Sequence, residues 1–203
     1  MAWTKAKTAI VVSAGVLLAA GTTAVALYRA NQPLQDIPRD WSVLCGESEQ
    51  WNWSSNAING HTITGDSILA SDKEYRDATL SAVVGTTNRE ASLVFRMQDA
   101  RNGYLVVFVP AFPGDNSSGR VTLIKRVDDH EEDLANYRGR IFDSLGQSAK
   151  IAVMARGPLV EVRLNDVRVI RVMDTTFSRG LIGFRIYGWG DHPCDATFSR
   201  VTF

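Results

Sequence analysis

Short segments in which apolar and polar residues alternate recur throughout residues 41–203, and no long apolar helical periodicity interrupts them. Successive side chains of a β-strand point to opposite faces of the sheet, so this alternation predicts strands with one buried face. Residues typical of turns separate the segments, as in a sandwich or barrel. The predicted strands are Thr79–Val84, Ser92–Gln98, Tyr104–Val109, Val121–Val127, Lys150–Arg156, Leu159–Leu164, Val167–Val172, Leu181–Tyr187 and Ala196–Phe203.

The segment Ser92–Pro110 reads as a hairpin around a polar turn. If Gln98 lies opposite Tyr104, alternation divides the two strands into two faces. The apolar face, which we expect in the core, holds Leu93, Phe95, Met97, Leu105, Val107 and Val109. The mixed face holds Val94, Arg96, Gln98, Tyr104, Val106 and Phe108. This mixed face is either a solvated outer surface or a recognition surface.

The strand Leu181–Tyr187 follows the same logic. Its core candidates are Ile182, Phe184 and Ile186, while Arg185 and Tyr187 join the mixed face. The loop that follows contains Trp189 and His192, where the tryptophan stacks on a sugar, anchors a protein interface or folds back over the core edge. The candidate ligand- or partner-binding residues are therefore Arg96, Gln98, Tyr104, Phe108, Arg185, Tyr187, Trp189 and His192.

The polar segment Asp128–Leu145 is predicted to be a loop or a single helical turn. Its first part, Asp128–Asp133, places five acidic residues around His130. Carboxylate oxygens bind Ca²⁺, although this spacing matches no calcium loop. The alternatives are a solvated acidic loop and a surface that steers a basic partner. Apart from this Ca²⁺ interpretation, no cofactor is predicted, and the three scattered histidines suggest no metal site.

The run Thr8–Tyr28 contains no charge over 21 residues. As a helix it would be about 32 Å long, enough to cross a hydrocarbon core. Lys5 and Lys7 precede it, which favours a cytoplasmic N-terminus and a translocated remainder. The predicted organisation is a cytoplasmic segment 1–7, a transmembrane helix or uncleaved signal anchor 8–28, a linker 29–40 and a domain 41–203. That domain is expected on the periplasmic side of the inner membrane.

Small residues occur four positions apart in this run, in the pairs Gly15/Ala19 and Ala20/Ala24. Such spacing allows close helix packing in lipid and favours a membrane protein complex as partner. An alanine-rich anchor without a partner would have the same composition. The A-x-A pattern at residues 24–26 keeps a cleaved signal peptide as the alternative to an anchor.

The charge distribution argues against a nucleic-acid partner. The chain has no net formal charge, but Lys5, Lys7 and Arg29 lie in its first 29 residues. Residues 30–203 therefore hold 19 basic and 22 acidic side chains. A mildly acidic domain without a cationic patch binds phosphate backbones poorly.

The two cysteines, Cys45 and Cys194, lie near the two ends of the predicted domain. An extracytoplasmic location permits a disulfide between them, which would stabilise the fold by about 5 kcal/mol. Such a bond requires the start and end of the domain to be neighbours. The alternative is two separate buried thiols.

Several strand motifs, in this order, resemble the laminin-G-like, concanavalin-A-like sandwich superfamily. They are ILASDKEYRDATLSAVV, FRMQDARNGYLVVF, RVTLIKR, KIAVMARGPLVEVRLNDVRVI, GLIGFRIYG and ATFSRVTF. In pattern they are most similar to the 3-keto-disaccharide hydrolase family. The resemblance implies a jelly roll whose N- and C-terminal strands are adjacent, in agreement with a Cys45–Cys194 bond. It also implies sugar binding or cleavage of keto-glycosides.

Three functional hypotheses follow. The first is a non-catalytic, single-pass membrane-anchored accessory subunit that docks on a membrane protein complex. The second is a glycan-binding module at the cell surface. The third is a 3-keto-glycoside hydrolase. The hydrolase ranks last because no predicted strand offers the pair of carboxylates that ordinary glycoside hydrolysis needs, and no catalytic residue is assigned.

Overall fold

The structure is a computed structural model, which describes residues 40–54, 56–86, 90–110, 119–138 and 148–203. These residues form two seven-stranded antiparallel β-sheets that pack face to face. The strands are β1 (Trp41–Cys45), β2 (Trp51–Ser54), β3 (Ala57–Thr62), β4 (Gly65–Ser71), β5 (Ala78–Thr86), β6 (Glu90–Asp99), β7 (Asn102–Val109), β8 (Arg120–Val127), β9 (His130–Tyr137), β10 (Ser148–Arg156), β11 (Leu159–Leu164), β12 (Val167–Met173), β13 (Leu181–Gly188) and β14 (Cys194–Thr202). A 3₁₀ turn, Ser48–Gln50, lies between β1 and β2.

The first sheet has the strand order β1-β4-β13-β6-β7-β8-β9, and the second has the order β12-β11-β10-β5-β14-β3-β2. The prediction of an all-β, two-sheet antiparallel sandwich is confirmed. Each of the nine predicted strands coincides with an observed one. The first four strands and β9 were not predicted as separate elements.

The core lies between the sheets and is built by strand alternation. Ile182, Phe184 and Ile186 of β13 all point into it, as predicted, and each is at most 1% exposed. The ring of Phe184 lies 4.5 Å from that of Phe198 in the opposite sheet. Burying an aromatic or aliphatic side chain of this kind stabilises the fold by roughly 1.5–3 kcal/mol.

The predicted register of the β6–β7 hairpin is wrong. Phe95, rather than Gln98, is the partner of Tyr104, and a bulge separates this pair from the next one, Asp99 with Asn102. Arg96 lies in the bulge with φ +50°. A bulge adds unpaired residues to one strand and so changes which face the following side chains occupy.

The two faces of this hairpin are therefore redistributed. Leu93 and Phe95 do face the core, but Tyr104, Val106 and Phe108 join them there. The outer face of the first sheet instead carries a second apolar cluster: Ile68, Val94, Met97, Leu105, Val107 and Ile124. The mixed face predicted for β6 and β7, which was either a solvated outer surface or a recognition surface, does not exist as one face.

Two glycines explain how the chain accommodates the bulge. A Cβ on Gly180 would lie 2.5 Å from the carbonyl carbon of Arg96, and one on Gly103 would lie 2.8 Å from the Cα of Met97. Both residues have positive φ, +150° and +153° respectively. Only glycine allows backbone to approach this closely from both sides.

The described part of the segment after β8 is a hairpin turn followed by a strand, in contrast to the predicted loop or helical turn, and residues 139–145 of that prediction lie outside the described residues. Asp128 and Asp129 have φ values of 50° and 65° and form the two central residues of a tight hairpin turn. The acidic residues that follow belong to β9, which pairs with β8. Aspartate tolerates positive φ, so consecutive aspartates can replace the Asn-Gly pair usual at such turns.

The predicted disulfide is also wrong, since both cysteines are free. The ring of Trp41, at the start of β1, lies 6.0 Å from that of Phe203, after β14. The thiol of Cys45 lies against the carbonyl oxygen of Asp66 on β4, and that of Cys194 lies against the carbonyl oxygen of Glu90 on β6. Both of these residues are register partners of Tyr187 on β13, so about two strand spacings, roughly 10 Å, separate the places where the two thiols lie. The cysteines belong to different sheets, and β1 and β14 are not paired.

The N-terminal predictions fall outside the described residues. These are the cytoplasmic segment 1–7, the transmembrane helix 8–28 with Gly15, Ala19, Ala20 and Ala24, and all of the linker 29–40 except its last residue. Within the described ranges, no helix is long and apolar enough to cross a membrane. The anchor remains a prediction.

Candidate functional site on the first sheet

Arg96, a predicted ligand-binding residue, is buried, and it donates its hydrogen bonds to the backbone, with the Asp77 carboxylate 3.7 Å away. Its side chain is 2% exposed. Its guanidinium donates hydrogen bonds to the carbonyl oxygens of Arg76 (3.0 and 3.2 Å), Phe177 (3.0 Å) and Gly157 (2.7 Å). These three carbonyls belong to three different connections between strands. Arg96 therefore holds three connections together at one end of the sandwich, and few of its N–H groups remain free to bind a ligand.

Two further predicted site residues, Tyr104 and Gln98, lie at or beside the same end, whereas Phe108 lies four residues further along β7. Tyr104 is 0% exposed, and its hydroxyl donates to the carboxylate of Asp174 while accepting from the backbone N–H of Phe177 at 3.2 Å. Burial, reinforced by the bond to Asp174, raises the pKa of Tyr104 to about 12. Phe108 lies in the core, and the exposed Gln98 donates its amide to the carbonyl of Arg179.

Asp66 of β4 and Arg126 of β8 meet across the outer face of the first sheet. Four strand spacings separate their strands, about 19 Å in a flat sheet. Nevertheless, Nη1 of Arg126 donates to Oδ2 of Asp66 at 2.7 Å. The sheet must curl for this contact to form, so the outer face is concave. The second apolar cluster forms the floor of this concavity.

Charged side chains from five strands converge above this floor. They comprise three carboxylates and three guanidinium groups, hereafter the concave-face cluster: Asp66, Glu90, Arg120, Arg126, Glu131 and Arg185. The formal charges of these side chains balance. Buried ion pairs of this kind persist only when their geometry offsets the loss of solvation.

Arg126 and Arg185 lie beneath the carboxylates and hold them in place. Their side chains are 5% and 4% exposed, against 19% for Asp66 and 36% for Glu131. Arg185 donates through Nε to Oδ1 of Asp66 at 2.6 Å, and Arg126 pairs with Glu131 through Nε and Nη2. Burial lowers the pKa of Arg126, but the pairs with Glu131 and Asp66 outweigh this effect and raise it.

Within the residues that the structure describes, two buried polar side-chain atoms have no hydrogen-bond partner, and both belong to this face. They are Nη1 of Arg185 and the hydroxyl oxygen of Ser92. The two residues are direct partners in the β13–β6 register. Nη1 of Arg185 lies 3.8 Å from Oε2 of Glu90, too far for a hydrogen bond. A buried N–H without an acceptor destabilises the fold by about 1–3 kcal/mol and marks a place where an acceptor is missing.

Tyr187 and Trp189 extend this face along β13. The guanidinium carbon of Arg185 lies 4.9 Å from the centre of the Tyr187 ring. Trp189 is 69% exposed and follows β13 in a turn that it closes with His192. The structure thus brings Arg185, Tyr187, Trp189 and His192 to one edge of the concavity, separate from Arg96, Gln98, Tyr104 and Phe108.

The acidic run Asp128–Asp133 does not gather into a cation site. Glu131 pairs with Arg126, Glu132 pairs with Lys125 at 2.8 Å, and Asp129 pairs with Arg101. Throughout the described ranges, no group of three or more His, Cys, Asp or Glu side chains is arranged to hold a metal ion. The Ca²⁺ interpretation gains no support from this part of the chain.

Most of the cluster was not predicted from the sequence, because its members come from separate strands. Glu131 was assigned to a loop, although the turn residues Asp128 and Asp129 and the charged partner Arg126 signal a hairpin. Asp66 stands at the start of β4, a strand that does not alternate and was not predicted. Its pairing with Arg126 depends on the curl of the sheet and could not be found from local pattern.

The outer face of the second sheet offers a weaker site. Short polar side chains line an open groove there, but they largely satisfy one another. Asn59 donates to Asn52 at 3.1 Å and accepts from Thr197 at 3.0 Å, and His61 pairs with Asp195 at 2.7 Å. No buried polar atom of these described side chains lacks a partner.

No family model and no curated protein sequence matches this chain. By structure, it is similar to the carbohydrate binding module CBM66 from Bacillus subtilis, with 23% identity, a TM-score of 0.64 and coverage of 84% of this chain and 98% of that one. It is also similar to the legume lectin-like domain from Entamoeba histolytica, with 11% identity, a TM-score of 0.55 and coverage of 81% and 89%.

A third similar structure is the metal-free carbohydrate recognition domain of Emp46p, with 10% identity, a TM-score of 0.55 and coverage of 78% and 87%. At these identities the likeness concerns the fold. It confirms the jelly-roll sandwich fold that the resemblance implies. The closer resemblance to the 3-keto-disaccharide hydrolase family remains a prediction.

Proposed function

We propose that this chain is a glycan-binding module whose site is the concave-face cluster. The observation that carries the proposal is the unpaired guanidinium N–H of Arg185, buried among partly exposed carboxylates. The similar folds of a carbohydrate binding module, a carbohydrate recognition domain and a legume lectin-like domain support the same function. The docking-subunit hypothesis has no comparable support.

The chemistry of the cluster favours an uncharged sugar. A hydroxyl group both donates and accepts hydrogen bonds, so it can donate to a carboxylate and accept from a guanidinium at once. An anionic ligand would meet the carboxylates of Asp66, Glu90 and Glu131, and a cationic one would meet buried arginines. A charge-balanced set of donors and acceptors therefore complements neighbouring hydroxyls on a neutral sugar ring.

Binding fits this geometry better than hydrolysis. Oδ1 of Asp66 and Oε1 of Glu131 lie 2.6 and 3.8 Å from the same atom, Nη2 of Arg185. The two carboxylates are therefore close enough to act as a catalytic pair, but each already accepts hydrogen bonds from a guanidinium group. A glycosidase needs one carboxyl group free to protonate the leaving oxygen.

The predicted membrane anchor would place this site close to a bilayer. With a span at residues 8–28 and a linker at 29–40, we propose that the domain lies on the periplasmic side of the inner membrane. It would then bind glycans within a short distance of the membrane surface. Labelling of single cysteines with an impermeant reagent in intact cells tests this placement.

The proposal is tested by screening the full chain, in mild detergent, against an array of neutral, anionic and amino sugars, followed by calorimetry on the hits. We expect neutral glycans among the hits. Replacing Arg185 with Met removes charge-assisted hydrogen bonds and should weaken binding more than about tenfold. Arg163, an exposed arginine on the second sheet, gives a matched control as Arg163→Met.

Glu90→Gln provides a second, milder variant, because Glu90 is 28% exposed and the change preserves its shape. It should weaken binding without unfolding the domain. Failure of the whole array to bind, or binding unaffected by both variants, would overturn the proposal. Release of sugar from a bound glycan would replace it with the hydrolase hypothesis.

A further inference from the structure

The side chains on alternate positions of β13 form a stripe that leaves the concave-face cluster. Arg185 and Tyr187 face outward, since the neighbouring residues Phe184 and Ile186 face the core. Continued alternation brings Trp189 to the same side. The stripe therefore runs from a buried guanidinium, through a half-buried phenol, to an exposed indole.

The exposed tryptophan is held on a tight, closed turn. The backbone N–H of Trp189 donates to the carbonyl of His192 at 3.2 Å, and that of His192 donates back at 3.1 Å. Gly190, with φ +57°, supplies the left-handed residue that such a turn needs. Below the turn, a Cβ on Gly188 would lie 2.7 Å from the carbonyl oxygen of Ile63, so the end of β13 is packed closely against the connection between β3 and β4.

Trp189 and Ile63 are the most exposed large apolar side chains at this end of the sheet, at 69% and 65%. The close approach of Gly188 to Ile63 brings them to the same rim. A pre-positioned, exposed indole offers a flat apolar surface at small entropic cost. The apolar face of a sugar ring is the complementary partner, and the hydroxyls at its edge are within the reach of a polar neighbour such as His192.

We infer that Trp189 is the stacking platform of a second subsite, so that the ligand is an oligosaccharide lying along β13. This inference rests on the proposed glycan-binding function. The Cα atoms of Arg185 and Trp189 are separated by about 13 Å in an extended strand. A chain of two or more sugar rings laid along β13 can therefore contact the charged cluster at one end and the indole at the other.

The experiment compares ligand lengths rather than ligand types. Calorimetry on the full chain would use glucose, mannose, galactose, fructose and N-acetylglucosamine, each with its linear tetrasaccharide. For the series that binds, the tetrasaccharide should bind more tightly than the monosaccharide. Trp189→Ala should remove that advantage, a loss of about tenfold, and leave monosaccharide affinity unchanged. Trp189→Phe should retain part of it.

Met173→Ala is the matched control, because Met173 is a 67% exposed apolar residue on β12 of the other sheet. It should change neither affinity. Equal affinities for monosaccharide and tetrasaccharide, or a tetrasaccharide advantage that survives Trp189→Ala, would overturn the second subsite and leave the proposed function standing. Binding of no sugar in either form, with no hit on the glycan array, would overturn both.

Discussion

Two buried arginines, Arg96 and Arg185, show what distinguishes a structural guanidinium from a binding one. Strand alternation assigned both to a single recognition face, and both are nearly inaccessible, at 2% and 3% exposure. Arg96 donates to three fixed backbone carbonyls. Arg185 faces carboxylates that are partly exposed, and one of its N–H groups has no acceptor.

The difference lies in the partners. Backbone carbonyls of connections between strands cannot be released without opening those connections, so the bonds of Arg96 serve the fold. Carboxylates at a solvent boundary can exchange one hydrogen-bond donor for another, so Arg185 and its neighbours can accept a ligand without unfolding. Burial of an arginine alone therefore does not identify a site, whereas burial with an unsatisfied N–H does.

The largest effect is expected from Arg96→Met. The substitution keeps an apolar stem but leaves the carbonyls of Arg76, Gly157 and Phe177 without their donor. We expect the free energy of unfolding to fall by about 3–5 kcal/mol, measured by urea denaturation. Arg163→Met, on an exposed site, should change it by less than about 0.5 kcal/mol. A loss below about 1 kcal/mol at Arg96 would show that these bonds are not structural.

The end of the sandwich around Arg96 also shows why some strand faces were predicted correctly from the sequence and others were not. Alternation identified the strands and the core side chains of β13 because they depend on nearest neighbours along the chain. It failed at β6 because one bulge at Arg96 exchanges the two faces, and nothing local distinguishes a bulged strand from a regular one. Glycines at positions 103 and 180 are required by the bulge, but they lie on other strands or connections.

The concave-face cluster was missed for a different reason. Arg185 and Tyr187 were found because they share one strand. Asp66 and Arg126 are 60 residues apart in sequence and four strands apart in the sheet. Their contact is a property of sheet curl, which sequence alternation does not encode.

The next largest effect is expected in the alkaline stability of the Arg96 end. Burial and the bond to Asp174 raise the pKa of Tyr104 from 10.0 to about 12. A raised folded-state pKa contributes stability that is complete below pH 10 and is lost as the pH rises through about 12. The loss should be about 2–3 kcal/mol, from urea unfolding at several pH values. Tyr104→Phe should remove this dependence, and an unchanged alkaline loss in that variant would contradict it.

The contact between Tyr104 and Asp174 also affects stability at acidic pH, where stability falls as the pH falls. Burial raises the pKa of Asp174, but hydrogen bonds from the Tyr104 hydroxyl and from Thr176 outweigh it and lower the pKa below 3.8. A lowered folded-state pKa contributes stability that is present above the unfolded value and lost as the pH falls. Asp174→Asn should therefore flatten the stability profile below about pH 4 relative to the unsubstituted chain.

A smaller loss of stability is expected from Arg185→Met, the same substitution made at the other arginine. Asp66 keeps its pair with Arg126, and Glu90 keeps its pair with Arg120 at 3.0 Å. Water also reaches both carboxylates, so we expect a loss of about 1–2 kcal/mol. Paired urea titrations of the two Arg→Met variants measure the contrast directly. Equal losses would mean that Arg185 stabilises the fold to the same extent that Arg96 does.

The smallest change in stability is expected from Ser92→Ala. This variant best distinguishes an effect on ligand binding from an effect on the stability of the fold. The Ser92 hydroxyl is 1% exposed and unpaired beside Arg185, so its removal deletes no hydrogen bond from the folded chain. The free energy of unfolding should stay within about 0.5 kcal/mol or rise slightly, since an unpaired buried hydroxyl is itself unfavourable. If the hydroxyl contacts a bound sugar, affinity should fall roughly three- to tenfold in the same variant. Loss of more than about 1 kcal/mol in unfolding would instead mean that Ser92 has a partner within the fold.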